Sequence, residues 1–102
     1  MKKPKIMDIN VQELKERLDK DEKLNLFDVR EPNEDAEDNL GATLIPLGEL
    51  SYRLDELEGL ENEAVMVYCR SGARSARAQQ LLEENGFTNV RNLIGGMLEY
   101  RK

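Results

Sequence analysis

The chain has 102 residues, 39% hydrophobic and 35% charged, with a formal net charge of −6. That describes one domain, 1–102, with a lean core, and the acidity argues against nucleic acid or an anionic membrane as partners, which want a basic face. It contains no histidine and one cysteine, which excludes Ser-His-Asp and Cys-His catalysis, an internal disulfide and a zinc site.

Ile6 to Ile9 reads as a short first strand. Asn10 then caps a helix, with Glu13 in capping-box position and Val11, Leu14 and Leu18 on one apolar face as far as Lys20. Leu24 to Val29 is a strand ending in Arg30-Glu31-Pro32. Pro32 opens a short acidic helix to about Asp38, and Asn39 to Gly41 is a turn. Thr43 to Leu47 is a weaker strand, because Pro46 cannot donate to a ladder. Leu50, Leu54 and Leu57 space a helix between Gly48 and Gly59. Ala64 to Tyr68 is a strongly apolar strand, the expected centre of a sheet. Ser75 to Asn85 is helical with Gly86 at C′. Val90 to Ile94 is a last strand, and Met97 to Lys102 a final helical turn.

Strands alternating with helices imply an α/β fold whose mainly parallel sheet is covered on both faces. Ligands bind such sheets beyond the carboxyl ends of the strands. Two ends carry chemistry: Asp28-Val29-Arg30 and Cys69-Arg70-Ser71.

Cys69 stands where strand gives way to helix, so loop amides and the helix dipole are expected to stabilise its thiolate. Between Ala64 and Leu82 there is no acidic residue, but there are three arginines, at 70, 74 and 77. The region therefore reads as a positive island around the only thiol. A lone cysteine ending an apolar strand is by itself a packing residue; Gly72, the arginines and the helix behind it favour a reactive one. With no histidine as base, the nucleophile must already be ionised. Such a cradle suits an anion or a persulfide. The spacing from Cys69 to Arg74 is C-x4-R, one residue shorter than the C-x5-R loop of phosphatases, and Tyr68 precedes the cysteine in place of their histidine. The shorter loop favours sulfur over a phosphoryl group, with phosphatase or arsenate reductase chemistry as the less favoured alternative.

The segment Cys69 to Ser75 (CRSGARS) closely resembles the active loop of single-domain rhodaneses. Phe27 to Glu34 (FDVREPNE) resembles that family's upstream signature, and Asn92 to Met97 (NLIGGM) its glycine-pair segment. The blocks occur in the family's order across the chain. The stretch Asp35 to Ala42 lacks the aromatic residue and the histidine usual there and is shorter, similar to rhodanese domains attached to E1-like enzymes, which hints at a sulfur relay.

The resemblance implies a three-layer α/β/α fold with a central, mainly parallel sheet of four or five strands. It implies a sulfurtransferase: Cys69 takes a sulfane sulfur from thiosulfate or a protein persulfide and yields it to cyanide or a thiol acceptor, such as a thioredoxin-like or sulfur-relay protein. A carrier module with little turnover of its own is the alternative. Cys69 is the expected nucleophile. Arg70, Ser71, Gly72, Ala73, Arg74 and Ser75 are expected to bind substrate through their amides and the two guanidiniums. Asp28 is expected to brace the loop, and Arg30 to support it or line the rim. No metal or cofactor is expected.

No stretch approaches the roughly 20 apolar residues of a membrane span. The opening MKKPKIMDIN has no apolar run behind its lysines and does not read as a secretory signal. A single thiol fits a reducing, cytoplasmic setting.

Overall fold

The structure, a computed structural model, describes residues 8–102. At its centre β3 (Val65–Tyr68) is buried along its whole length, as an apolar run without polar alternation requires of a strand covered on both faces. It pairs in parallel with β1 (Asn25–Asp28) on one side and β4 (Val90–Asn92) on the other. β2 (Thr43–Leu44) pairs in parallel with β1, giving the order β2-β1-β3-β4.

Successive side chains of a strand point to opposite faces, and β3 feeds two cores. Val65 and Val67 join Phe27, Ile45, Leu50, Leu57 and Leu82, under α3 (Leu47–Leu50), the 3-10 turn Leu54–Leu57 and α4 (Ala73–Glu84). Met66 and Tyr68 join Ile9, Leu14, Leu26, Leu93 and Met97, under α1 (Val11–Asp19) and α5 (Gly96–Tyr100). The result is the expected three-layer α/β/α fold on a four-stranded parallel sheet. Half of the predicted first strand, Ile6 to Ile9, lies outside the described residues. Its last residue, Ile9, bridges in parallel to Leu93 beside β4.

Several expected elements differ in extent. The strand predicted over Thr43–Leu47 keeps regular pairing only at Thr43–Leu44. Ile45 N and Leu47 N still donate to Asp28 O and Val29 O at 2.9 and 3.0 Å, so Pro46 occupies the alternate position where no donor is needed, and it precedes α3. The single helix expected between Gly48 and Gly59 is two pieces, α3 and the 3-10 turn. Arg53 clamps them, reaching Glu49 at 2.9 Å and Glu56 at 2.6 Å. Asn10 caps α1 by accepting from Glu13 N at 2.8 Å, but the Glu13 carboxylate turns to Arg17 and Arg91. The reciprocal contact appears instead at α2 (Pro32–Glu37), where Glu34 Oε1 accepts from Glu31 N at 3.0 Å. Helix α4 starts at Ala73, ahead of the expected Ser75, and closes as predicted on Gly86, with Phe87 N donating to Leu82 O. Among the described residues no helix is long and apolar enough to cross a membrane.

Candidate active site

The carboxyl ends of β1 and β3 lie side by side, Asp28 opposite Tyr68, so the two loaded strand ends share one end of the sheet. From β3 the chain turns through Cys69 to Gly72 and enters α4. Gly72 has φ 107°, a conformation that favours glycine. The space there is ordinary, its nearest neighbours being 3.7 Å from an added Cβ, so backbone angle decides this position. Around the buried sulfur the loop folds as a cradle. Gly72 N donates to Cys69 Sγ at 3.1 Å, Ser75 N lies at 3.4 Å, and Ser75 Oγ at 3.3 Å. Burial pushes the thiol up, but the Ser75 hydroxyl and the amides of Ser75, Gly72 and Ser71 outweigh it and hold Cys69 below the ordinary thiol value.

The far side of the loop rests on α5. Met97 N donates to Cys69 O and Leu98 N to Arg70 O, each at 3.0 Å. Gly96 makes this approach possible: a Cβ there would lie 2.5 Å from Cys69 O and 2.6 Å from Arg70 O. Gly96, the second glycine of the pair, is thus the seat of the cysteine loop.

The positive island of the sequence is partly neutralised in space. Arg74 makes a bidentate pair with Glu34, at 2.7 and 2.9 Å. That pair and the Glu31 amide outweigh the burial that opposes them and pull Glu34 down to about 2. Arg70, next to the cysteine, is exposed, and Arg77 lies exposed on α4, as do Ser71 and Ala73 of the loop. Asp28 is fully buried, but its carboxylate is spent on Arg30: on the backbone N–H at 2.9 Å, on Nε at 3.0 Å and on Nη2 at 2.8 Å. Arg30 stacks 5.5 Å above the Tyr68 ring and donates to Asp38 O at 2.6 Å. The pair therefore holds segment 30–38 against the residue before the cysteine, where the sequence suggested a direct brace on the loop. Arg30 also lines a cavity of about 280 Å³ together with Arg70, Leu98 and Arg101.

Two residues of the site carried no assignment from sequence. Glu34 enters the sequence reading only as part of the motif Phe27 to Glu34. Asn92 accepts from Ser75 Oγ at 2.6 Å and donates to Gly72 O at 3.2 Å. Its signal was there to be read: a polar residue inside the apolar strand Val90 to Ile94, facing a buried position.

Residues 10–102 match the family model of the rhodanese-like domain. The chain belongs to that family. YrkF of Bacillus subtilis, which bears a provisional sulfur carrier name, is 38% identical over 96 residues, covering 93% of this chain and 51% of YrkF. The chain thus spans about half of that relative. YtwF of the same organism, provisionally named a sulfurtransferase, is 36% identical over 93% of this chain and 90% of its own length. The crystal structure of SSP1007 from Staphylococcus saprophyticus superposes with a TM-score of 0.82 at 36% identity, covering 93% of both chains. This rhodanese-like domain therefore shares its family with relatives that bear provisional sulfur carrier and sulfurtransferase names.

Proposed function

We propose that this rhodanese-like domain is a sulfurtransferase carrying sulfane sulfur on Cys69 as a persulfide. The observation that supports it is the convergence of amides and a hydroxyl on Sγ, at 3.1 to 3.4 Å. Charge on sulfur is stabilised there by groups fixed in advance, and the histidine-free chain supplies no imidazole base. In the first half-reaction the Cys69 thiolate attacks the outer sulfur of thiosulfate; an S–S bond forms and sulfite leaves with the electron pair of the broken one. In the second, cyanide or a thiol takes the outer sulfur, and the pair of the breaking S–S bond returns to Cys69. A protein persulfide serves as donor by the same steps. The amides of Arg70 to Ser75 hold the outer sulfur, and Arg70 steers the anionic donor towards the mouth. No metal or cofactor takes part, and the reading places the domain in a reducing, cytoplasmic setting, where its thiol stays free.

A second reading keeps the same persulfide but makes the domain a carrier, loaded and unloaded by protein partners with little turnover on thiosulfate. The provisional sulfur carrier name of YrkF favours it. Intact mass before and after thiosulfate, followed by a cyanide chase, tests both. Gain of one sulfur on Cys69, lost to cyanide, is the expected result. Loading only from a protein persulfide would select the carrier, and no loading from either donor would overturn both.

A further inference from the structure

The cradle contains one hydroxyl and two groups placed to receive its proton. Ser75 Oγ is 3.3 Å from Cys69 Sγ and 2.6 Å from Asn92 Oδ1, and Ser75 is fully buried. A serine hydroxyl has one proton to give. The amide of Asn92 has its orientation set from the other side, because Nδ2 donates to Gly72 O at 3.2 Å. Turning it over would put its oxygen against that carbonyl, two acceptors face to face. Behind it, Asn92 N donates to Asp8 Oδ1 at 3.1 Å, and Gln79 Nε2 reaches the same oxygen at 2.7 Å. The acceptor that faces Ser75 is therefore held in place.

We propose that Asn92 is a positioning residue for the sulfur chemistry, competing with Cys69 for the single hydroxyl proton of Ser75. The proposal rests on the reading of Cys69 as the sulfur carrier. In the neutral thiol, S–H donates to Ser75 Oγ and the hydroxyl donates to Asn92. When the sulfur ionises, the hydroxyl turns to Sγ and Asn92 Oδ1 loses a partner, a cost in a buried place. In the persulfide the charge sits on the outer sulfur, Sγ is bonded, and the hydroxyl returns to Asn92. As a thiol acceptor takes the outer sulfur, its proton passes to the transferred sulfur. The electron pair of the breaking bond stays on Sγ, and Ser75 turns back to meet it. The hydroxyl thus serves Cys69 only when Cys69 is the free thiolate or the leaving group. The other charges facing the cradle are Arg74 with its partner Glu34, Arg70, and Asp8 behind Asn92; the variants below leave each in place.

The test titrates Cys69 in the wild type, Asn92→Ala, Ser75→Ala and the double variant, by thiolate absorbance and iodoacetamide alkylation against pH. Asn92→Ala also removes one of the two donors to the Gly72 carbonyl, which keeps Ala76 N at 3.0 Å, and that effect persists in the Ser75→Ala background, where it can be subtracted. What remains should be a fall in the midpoint of about half a pKa unit, or about threefold faster alkylation below it. Equal shifts in both backgrounds would overturn the proposal. Should Asn92→Ala fail to fold, the near-isosteric Asn92→Asp is measured in the same cycle. Its carboxylate binds the hydroxyl harder, so the midpoint should rise further with Ser75 present than without it, and an equal rise overturns the proposal. Sulfur uptake by the wild type is a separate readout. Its failure removes the proposed function, whereas additive titrations remove only the competition.

Discussion

Gly96 shows how much of this site is set by what is absent from a side chain. Its φ of 58° and the two carbonyls 2.5 and 2.6 Å from an added Cβ leave no room to yield, because the obstacles are backbone atoms of the cysteine loop. Gly96→Ala should cost at least about 1–3 kcal/mol, and it should cost sulfur uptake more than stability, because α5 can relieve the clash only by moving the loop it seats. Thermal unfolding and persulfide loading measured on the same preparation check this. Cys69→Ser is the contrasting case: it swaps one atom in a buried place and keeps the cradle. It should abolish persulfide formation while leaving the melting temperature within a few degrees of wild type. Transfer near the wild-type rate in that variant would sink the mechanism.

Between elements, the Glu34–Arg74 pair joins α2 to α4 across the mouth of the loop. The folded carboxyl at about 2 against an ordinary 4.5 means the pair stabilises the fold above roughly pH 4.5. That contribution fades as pH falls through 2, below which Glu34 is protonated in both states. Glu34→Gln should therefore cost on the order of 1 kcal/mol of unfolding free energy at pH 7, since the pair stays partly open to water, and the gap to wild type, followed by thermal unfolding, should close as pH falls from 4.5 through 2. Asp35 beside it behaves oppositely. Its contact with the Asp28 carboxylate, together with burial, pushes its carboxyl up, and its Oδ1 is buried without a hydrogen-bond partner. Two acceptors face each other there unless a proton intervenes. Asp35→Asn should stabilise the domain at pH 7, and the gain should shrink as pH falls through the raised carboxyl of wild-type Asp35, to be gone below the ordinary value of 3.8.

These pairs also mark what could be read without coordinates. The order of strands and helices was legible because apolar runs such as Val65–Tyr68 and caps such as Asn10 and Gly86 act locally. The cysteine loop was legible because its glycine, arginines and following helix are contiguous. The partner of Arg74 was not, since Glu34 is 40 positions away and only the parallel crossover brings it near. The break at Arg53 was hidden because Leu50, Leu54 and Leu57 suit one helix or two pieces equally. Asn92 stands in the sequence only as a polar residue within the strand Val90 to Ile94, and its partners Gly72 and Ser75 come from across the β3–β4 pairing.

At the scale of the whole molecule, one sheet serves two cores, and the site belongs to both. Cys69 packs with the core under α4, whereas Tyr68, one residue earlier, packs with the core under α1 and α5. Tyr68 is fully buried, and its hydroxyl accepts from Leu40 N at 3.3 Å, which ties the shortened 35–42 segment to the strand that delivers the cysteine. Burial, with the Asp28 charge adding to it, pushes the phenol up to about 12. Because β3 cannot keep one face without the other, damage under α1 should reach the thiol on the far side. Leu14, wholly buried beneath α1, is the place to inflict it. Leu14→Ala should cost about 2–5 kcal/mol out of a total of about 5–15, enough to lower the melting temperature by about 10 °C or more. The decisive comparison is between two probes along a denaturant series, tyrosine absorbance for the face that was cut and Cys69 alkylation for the opposite one. Coincident midpoints, both shifted by the substitution, are expected of a single cooperative unit. A thiol that stays protected after the tyrosine signal has melted would mean that the cysteine cradle holds together on the α4 core alone.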